Sequence, residues 1–208
     1  MFKAPKSPKL TQDERSARTR DALHKATVAS LMEVGYANTS TSSIAKRAGL
    51  SRGAQSHQYP GKIDLIVAAT EDMFNGFLND IDCLAGRLCD GSLSMDQFLS
   101  DIWNQMLNGV WFYSSLEMIV AARGDTELQR RLTPLILELH TGFEAIWRRT
   151  FEPCEGIDAD PSALFNLAMN MFRGMAVQAV LRPDKSYHAG MMATLCDLLR
   201  DKIRAKRK

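Results

Sequence analysis

The sequence contains no run of about 18 consecutive apolar residues, the length that a helix needs to cross a lipid bilayer. It also lacks the apolar stretch of a secretory signal at its N-terminus, because the basic residues 1–9 lead directly into the polar segment 11–14. These two absences argue against a membrane span and against export. We therefore expect a cytoplasmic protein without a membrane partner.

Cysteine and histidine are scarce, and neither is clustered. The cysteines, Cys83, Cys89, Cys154 and Cys196, form no CxxC pair and have no adjacent histidine. The histidines stand far apart in the sequence at His24, His57, His140 and His188. The chain also lacks the GxSxG, P-loop, HExxH and dinucleotide-binding glycine patterns. These absences predict reduced, packed cysteines, no metal site, no cofactor and no enzymatic activity.

Charge is distributed unevenly along the 208 residues, although the net charge is only +2. Residues 1–70 carry a net charge of +6, residues 71–199 carry −9, and residues 200–208 carry +5. A basic N-terminal third beside an acidic body suggests that one end of the protein binds a polyanion. Charge alone does not separate this interpretation from a solvated basic surface.

The pattern of apolar residues predicts helices throughout and no strand. Thr11-x-x-Glu14 resembles a capping box that opens the first helix, and Gly35 is expected to end it. Two short helices then precede a fourth that begins near Lys62. Longer helices are expected at about 94–108, 110–123, 125–150, 161–182 and 186–205. Pro134 is expected to kink the helix that begins at 125 or to divide it in two.

Residues 39–62 have the composition of a helix-turn-helix. Two helices that cross at a sharp angle need small residues where they meet, and Ala45 and Ala54 meet that need. Gly49 allows the positive φ of the turn, Leu50 points back into the core, and Ser51 caps the second helix. The second helix would lie in the major groove of DNA. A short helix pair with glycine between them can also be a corner with no role in DNA binding.

Several polar residues of this segment suit contacts with DNA. On the second helix, Arg52 matches guanine and Gln55 matches adenine, while Gly53 lets the backbone approach the duplex. The other candidates are polar residues that can reach DNA and residues suited to phosphates: Thr39, Ser40, Lys46, Ser51, Ser56, His57, Tyr59 and Lys62.

The run from Leu23 to Leu65 resembles the N-terminal domain of the TetR family almost position by position. The matching motifs are Gly35-Tyr36, Thr39-Ser40, Ile44-Ala45, Arg47-Ala48-Gly49-Leu50-Ser51, Arg52-Gly53-Ala54, His57, Tyr59-Pro60 and Lys62-x-x-Leu65. Two positions depart from the family pattern: Ser56 replaces a usual Tyr or Leu, and Gln58 replaces a common His. The resemblance implies a homodimeric repressor that leaves its DNA when a small molecule fills the C-terminal domain.

The predicted fold is all-α, with a DNA-binding domain at 1–61 and a helical ligand-binding and dimerisation domain at 62–208. Nine of the eleven methionines follow residue 70, and together with aromatic residues they suit a pliable lining for an apolar guest or a plain core. The candidate ligand-binding residues are Trp103, Met106, Trp111, Glu117, His140, Phe143, Trp147, Met169, Phe172 and Arg173. Arg173 could pair with a ligand carboxylate, or with Glu117 or Glu144 in a structural ion pair.

The last two helices resemble the pair that forms the dimeric four-helix bundle of the family. Small residues such as Gly174 and Ala189 permit close helix approach, and Leu195, Leu198 and Leu199 provide apolar area. A two-fold dimer predicts a palindromic operator. The function expected is that of a ligand-responsive repressor released by an apolar or amphipathic molecule. The alternative is a helical small-molecule-binding protein without specific DNA binding.

Overall fold

The computed structural model describes residues 11–107 and 110–207, with the side chains of 106, 107 and 110 excepted. This part of the chain is helical apart from two short strands and the connecting loops, and the predicted all-α class is confirmed. The helices are α1 (Gln12–Asn38), α2 (Thr41–Arg47), α3 (Arg52–Gln58), α4 (Lys62–Cys89), α5 (Met95–Asp101), α6 (Val110–Ala122), α7 (Thr126–Thr150), α8 (Pro161–Ala179) and α9 (Lys185–Arg200). A π-helical turn, Ile102–Leu107, follows α5 directly.

Contacts divide the chain into two compact units, one ending at Thr70 and the other beginning at Glu71. The division therefore falls inside α4. The first turns of α4 belong to the N-terminal unit because Leu65 is fully buried and packs in its core with Leu23, Ala26 and Ile44. The proposed functional domains, 1–61 and 62–208, place that boundary at the start of α4 instead.

A capping box sets the start of α1, and a glycine interrupts its helical backbone near the end. The Thr11 side chain accepts a hydrogen bond from the Glu14 N–H, and the Glu14 carboxylate accepts one from the Thr11 N–H, so the predicted capping box is present. Gly35 has φ +72°, a left-handed value that suits glycine and interrupts the helical backbone of α1.

The C-terminal unit is built around an aromatic core. Phe98, Phe151 and Phe165 surround Trp147, and the Phe151 and Phe165 rings stack with 4.1 Å between their centroids. Phe143 stacks on Trp147 at 5.8 Å. Each of these side chains is at most 1% exposed. Complete burial of one such ring stabilises the fold by roughly 2–3 kcal/mol, so this cluster dominates the packing of the unit.

Two strands were not predicted from the sequence. β1 (Phe151–Pro153) and β2 (Ile203–Ala205) pair antiparallel, with Phe151 opposite Ala205. The predicted helix to 205 is therefore wrong at its end, because α9 stops at Arg200 and the chain turns into β2. Ile203 and Phe151 are each 1% exposed, so pairing places one apolar side chain from each strand in the core. Three residues per strand are too few to show an alternating pattern in the sequence.

Two further segments, around Pro134 and after α5, differ from the helices expected from the sequence. Pro134 does not divide α7, which is continuous from Thr126 to Thr150. The Pro134 side chain is exposed, and a kink of α7 at this position stays a prediction. The single helix expected at 94–108 is instead α5 followed by the π-helical turn. A π-helical turn is rare and is frequent at functional sites.

Candidate functional site

The helix-turn-helix of the N-terminal unit is held by caps at both of its helices. Ser40 caps α2, exchanging hydrogen bonds with the backbone and side chain of Ser43. Gly49 has φ +68° in the turn, as the sequence predicted, and nothing lies within 4 Å of the position a Cβ would occupy. Ser51 then caps α3, its Oγ accepting the Ala54 N–H at 3.1 Å. The turn is therefore set by backbone conformation and capping, without steric pressure on the glycine.

One face of α3 is open to solvent. Arg52, Gly53, Ser56 and His57 are all exposed, at positions i, i+1, i+4 and i+5 of the helix. This spacing keeps them on one side of a helix with 3.6 residues per turn. Among the described residues, Arg52 has no acidic partner, which leaves its guanidinium free for a bidentate contact. The face combines a cation, an imidazole, a hydroxyl and a glycine that allows close approach.

Gln55 departs from its predicted role. Its side chain is 4% exposed, and Nε2 donates to the Tyr59 backbone oxygen at 2.6 Å. The Tyr59 N–H in turn donates to the Gln55 oxygen of the main chain at 2.9 Å. The two bonds close the C-terminal end of α3. This placement does not support the base contact predicted for Gln55, because the amide faces the protein interior and is already occupied.

Thr39 is also turned inward. It is 2% exposed, and its Oγ1 donates to the Gly35 carbonyl at 2.7 Å. The hydroxyl therefore stabilises the end of α1, and its placement does not support the predicted phosphate contact. Ser40 and Lys46 are exposed, as a phosphate contact requires.

Tyr59 and Lys62 are half-buried and are anchored to α1. The Tyr59 hydroxyl lies 2.7 Å from Nε2 of His24. The Lys62 ammonium donates to the Tyr36 carbonyl at 2.6 Å and stands 3.9 Å from the centre of the Tyr36 ring. These contacts fix both side chains at the junction of α1, α3 and α4, and a phosphate contact by either stays a prediction.

A further polar cluster joins α1 to α3 and was missed in the sequence. Gln58 Nε2 donates to Ser16 Oγ at 3.0 Å, and Arg20 donates to the same oxygen at 2.9 Å. The separation of 42 positions between Ser16 and Gln58 hides this contact from any local pattern. The only sequence signal was the unusual residue at position 58.

The predicted ligand-binding residues of the C-terminal unit do not form one site. Four of them are closely packed core residues: Phe143, Trp147, Met169 and Phe172. Trp111 is half-buried and stacks on Phe77, with 3.8 Å between ring centroids. Glu117 and His140 are exposed. The Met106 side chain lies outside the described residues. Periodicity identified apolar helix faces here but could not separate a lining from a filled core.

Arg173 and His140 both have lowered pKa values, and the charge of Arg173 contributes to the shift of His140. Arg173 donates to Asn170 Oδ1 at 3.2 Å, a different partner from the glutamates considered from sequence. Burial lowers the pKa of Arg173. Although much of the His140 side chain is exposed, partial desolvation of its ring lowers its pKa, and the positive charge of Arg173 lowers it further.

A cleft of about 730 Å³ lies elsewhere in the C-terminal unit, between the α5–π-helical segment and α9. Of the predicted ligand residues whose side chains the structure describes, Trp103 alone lines it. The other lining residues are Asp96, Ser100, Asn104, Tyr113, Ala179, Pro183, Lys185, His188, Ala189, Met192, Ala193, Cys196, Asp197 and Arg200. The volume falls within the range of about 300–1,000 Å³ typical of small-molecule sites. Sequence reasoning missed this cleft because its walls are more than 75 positions apart.

Two further properties of the described part of the chain concern membranes and metal ions. None of its helices is both long and apolar enough to cross a membrane. Within the same residues, no group of three or more His, Cys, Asp or Glu side chains is arranged to hold a metal ion.

Comparison of the sequence and of the structure with known proteins finds similarity to bacterial transcriptional regulators. Residues 23–69 match the family described as "Bacterial regulatory proteins, tetR family". The HTH-type transcriptional regulator CymR of Pseudomonas putida is 28% identical over 198 residues, which cover 94% of this chain and 97% of that protein. A TetR transcription regulator from Haloarcula marismortui has a similar structure, with a TM-score of 0.67, 18% identity, and coverage of 90% and 100%. The multidrug binding protein EbrR, complexed with imidazole, has a TM-score of 0.58, 19% identity, and coverage of 85% and 93%.

Proposed function

The chain belongs to the TetR family of DNA-binding transcriptional regulators and is not an enzyme, and from this we propose that it is a dimeric repressor released from its operator by a small molecule. The exposed face of α3 carries the proposal. Arg52, Ser56 and His57 present polar groups beside Gly53, and the positive-φ turn at Gly49 precedes them.

Base reading is proposed for the exposed residues of α3. Arg52 would contact guanine O6 and N7, and Ser56 and His57 would contact neighbouring base edges. Ser40, Ser51 and Lys46, at the ends of the two short helices, would contact phosphates and set the register of the helix in the groove. Gln55 would act indirectly by holding Tyr59 at the end of α3.

Dimerisation through α8 and α9 is proposed from an exposed apolar stripe. Leu167 and Val177 of α8 are 66% and 46% exposed, Leu181 just beyond the end of α8 is 92% exposed, and Gly174 lies exposed on the same side. Leu198 of α9 is 59% exposed. A stripe of this kind on a folded unit is unfavourable in water unless a partner covers it. A two-fold pairing of these helices would present two α3 faces to a palindromic operator.

Ligand response is proposed as linkage between the two units. EbrR is described as a multidrug binding protein, and this chain has a cleft of suitable volume in its C-terminal unit. If a ligand favours a dimer with the wrong spacing between its α3 helices, ligand and operator weaken each other by the same factor. Such coupling is typically about 1–3 kcal/mol, or roughly 5- to 150-fold in affinity.

The test is fluorescence anisotropy of the purified protein with DNA selected from a random pool, compared with scrambled DNA at two salt concentrations. Specific binding that weakens with salt is expected. Arg52→Ala should cost about 1–3 kcal/mol on the selected site and much less on scrambled DNA. Lys46→Ala should weaken both and reduce the salt dependence. Arg87→Ala, an exposed change in the C-terminal unit, is the control. Failure to select any sequence contradicts the proposal.

A further inference from the structure

The cleft in the C-terminal unit contains a polar group that the protein leaves unsatisfied. His188 is 8% exposed and lines the cleft, and its Nε2 is buried without a hydrogen-bond partner among the described residues. A buried polar nitrogen without a partner is unfavourable, and native proteins rarely retain one without a reason. The terminal torsion of a histidine is soft, so a small ring rotation can present a nitrogen to the cleft.

The wall beside His188 is aromatic and is formed by unusual backbone. Trp103 and Asn104 both lie in the π-helical turn that follows α5. The Trp103 ring is 5.6 Å from the His188 ring and 6.0 Å from the Phe172 ring, between centroids. A regular α-helix would direct these two side chains differently, so the π-helical turn shapes this wall. Such turns are frequent at functional sites.

The remaining walls leave space for a flat molecule. Ala179, Ala189 and Ala193 are small, and the thioether of Met192 adapts to the shape of a guest. Tyr113 is half-buried and its hydroxyl donates to the Ala176 carbonyl at 3.3 Å, so its ring is held in place. An aromatic wall facing small side chains fits a planar ring system.

Three of the four charged side chains at the cleft are paired with one another. Arg200 donates to Asp96 and, at 3.1 Å, to Asp197. The pKa of the Cys196 thiol is raised to about 11 by burial and by its hydrogen bond to Asp96, so the thiol is neutral at neutral pH. Lys185, the other lining cation, is exposed and has no ion-pair partner among the described residues. Among the described lining residues, a negatively charged ligand would therefore find an unpaired cation only at the exposed Lys185, and none among the buried side chains around Trp103 and His188.

We infer that the cleft binds a neutral, planar aromatic molecule bearing a hydroxyl group, with the ring against Trp103 and the hydroxyl bonded to His188. The inference deepens the proposed function and rests on it only in treating the occupant as the effector. Binding itself is a property of the free protein and can be measured without DNA.

The experiment is isothermal titration calorimetry of the full chain with 2-naphthol, naphthalene and 2-naphthoate. These probes share one ring system and differ in the polar group. We expect 2-naphthol to bind about tenfold more tightly than either of the others, the factor expected for one hydrogen bond. Tighter binding of 2-naphthoate, or equal binding of 2-naphthol and naphthalene, overturns the inference.

Variants separate an anchoring role of His188 from a structural one. His188→Leu should weaken 2-naphthol binding about tenfold and leave naphthalene binding unchanged, whereas a structural role would weaken both equally. If His188→Leu does not fold, His188→Gln must keep the preference for 2-naphthol. Ala189→Phe should fill the cleft and weaken both probes. Ala145→Phe, an equally exposed change on α7 away from the cleft, should weaken neither.

A parallel anisotropy measurement keeps this inference and the proposed function apart. If the protein does not bind 2-naphthol but still binds its selected DNA, the inference is overturned and the repressor proposal stands. Binding of 2-naphthol with the expected His188 dependence, by a protein that selects no DNA, supports the cleft as a site and contradicts the repressor proposal.

Discussion

Replacing Gln55 with alanine distinguishes a base-reading residue from one that holds the end of α3. The change removes the hydrogen bond to the Tyr59 carbonyl, worth about 1 kcal/mol, and one buried methylene, worth about 0.8 kcal/mol. The expected loss of unfolding free energy is therefore about 2 kcal/mol. For a chain of 208 residues this corresponds to a fall in Tm of roughly 4–8 °C. Gln55→Met, which keeps the volume, should lose about half as much.

The assay is urea unfolding followed by far-UV circular dichroism, together with anisotropy on selected and scrambled DNA. Since Gln55 faces inward, Gln55→Ala should weaken binding to both DNAs by a similar factor. Arg52→Ala should leave the unfolding free energy nearly unchanged and weaken binding to the selected site far more than binding to scrambled DNA. A Gln55→Ala protein with wild-type stability and a selective loss on the operator would refute the positioning role and restore the base contact expected from sequence.

Three further changes test other parts of the structure. Gly49→Ala should destabilise the protein by about 1–2 kcal/mol in urea unfolding because the φ of Gly49 is +68°. The control, Gly76→Ala, lies inside α4 with open space around it and should be neutral or stabilising by up to about 1 kcal/mol. Folding lowers the pKa of His140, so the unfolded chain binds more protons than the folded protein as the pH falls. The unfolding free energy should therefore decrease between pH 7.5 and pH 5.5, and it should decrease less in His140→Gln. An equal decrease in both proteins contradicts the assigned cause. Leu181→Glu, just beyond the end of α8, should convert dimer to monomer in light scattering at micromolar concentration, while Leu137→Glu, at 62% exposure on α7, should not. A dimer that survives the first change argues against pairing through the exposed apolar stripe.

The helix-turn-helix could be predicted from the sequence because the residues that determine it lie close together in the chain. The turn and both helices depend on interactions that span only a few residues: the positive φ of Gly49, the caps at Ser40 and Ser51, and the apolar Ile44. The spacing of these residues alone therefore indicates the turn and both helices. The exposed side of α3 follows from the same periodicity for Arg52 and His57. The burial of Gln55 was not predicted, because a polar side chain suggests solvent, whereas its hydrogen bond to the nearby Tyr59 carbonyl turns it inward.

The cleft and the small sheet depended on the tertiary structure. β1 and β2 are 50 residues apart in sequence, and their antiparallel ladder forms only when folding brings the two segments together. Met169 and Phe172 fill the core whereas Trp103 borders open space, although all three belong to apolar helix faces. The sequence by itself determined the helical class and the helix-turn-helix, because these depend on residues close in the chain. Which apolar faces close against each other, and which leave a cavity, was decided by packing between distant helices.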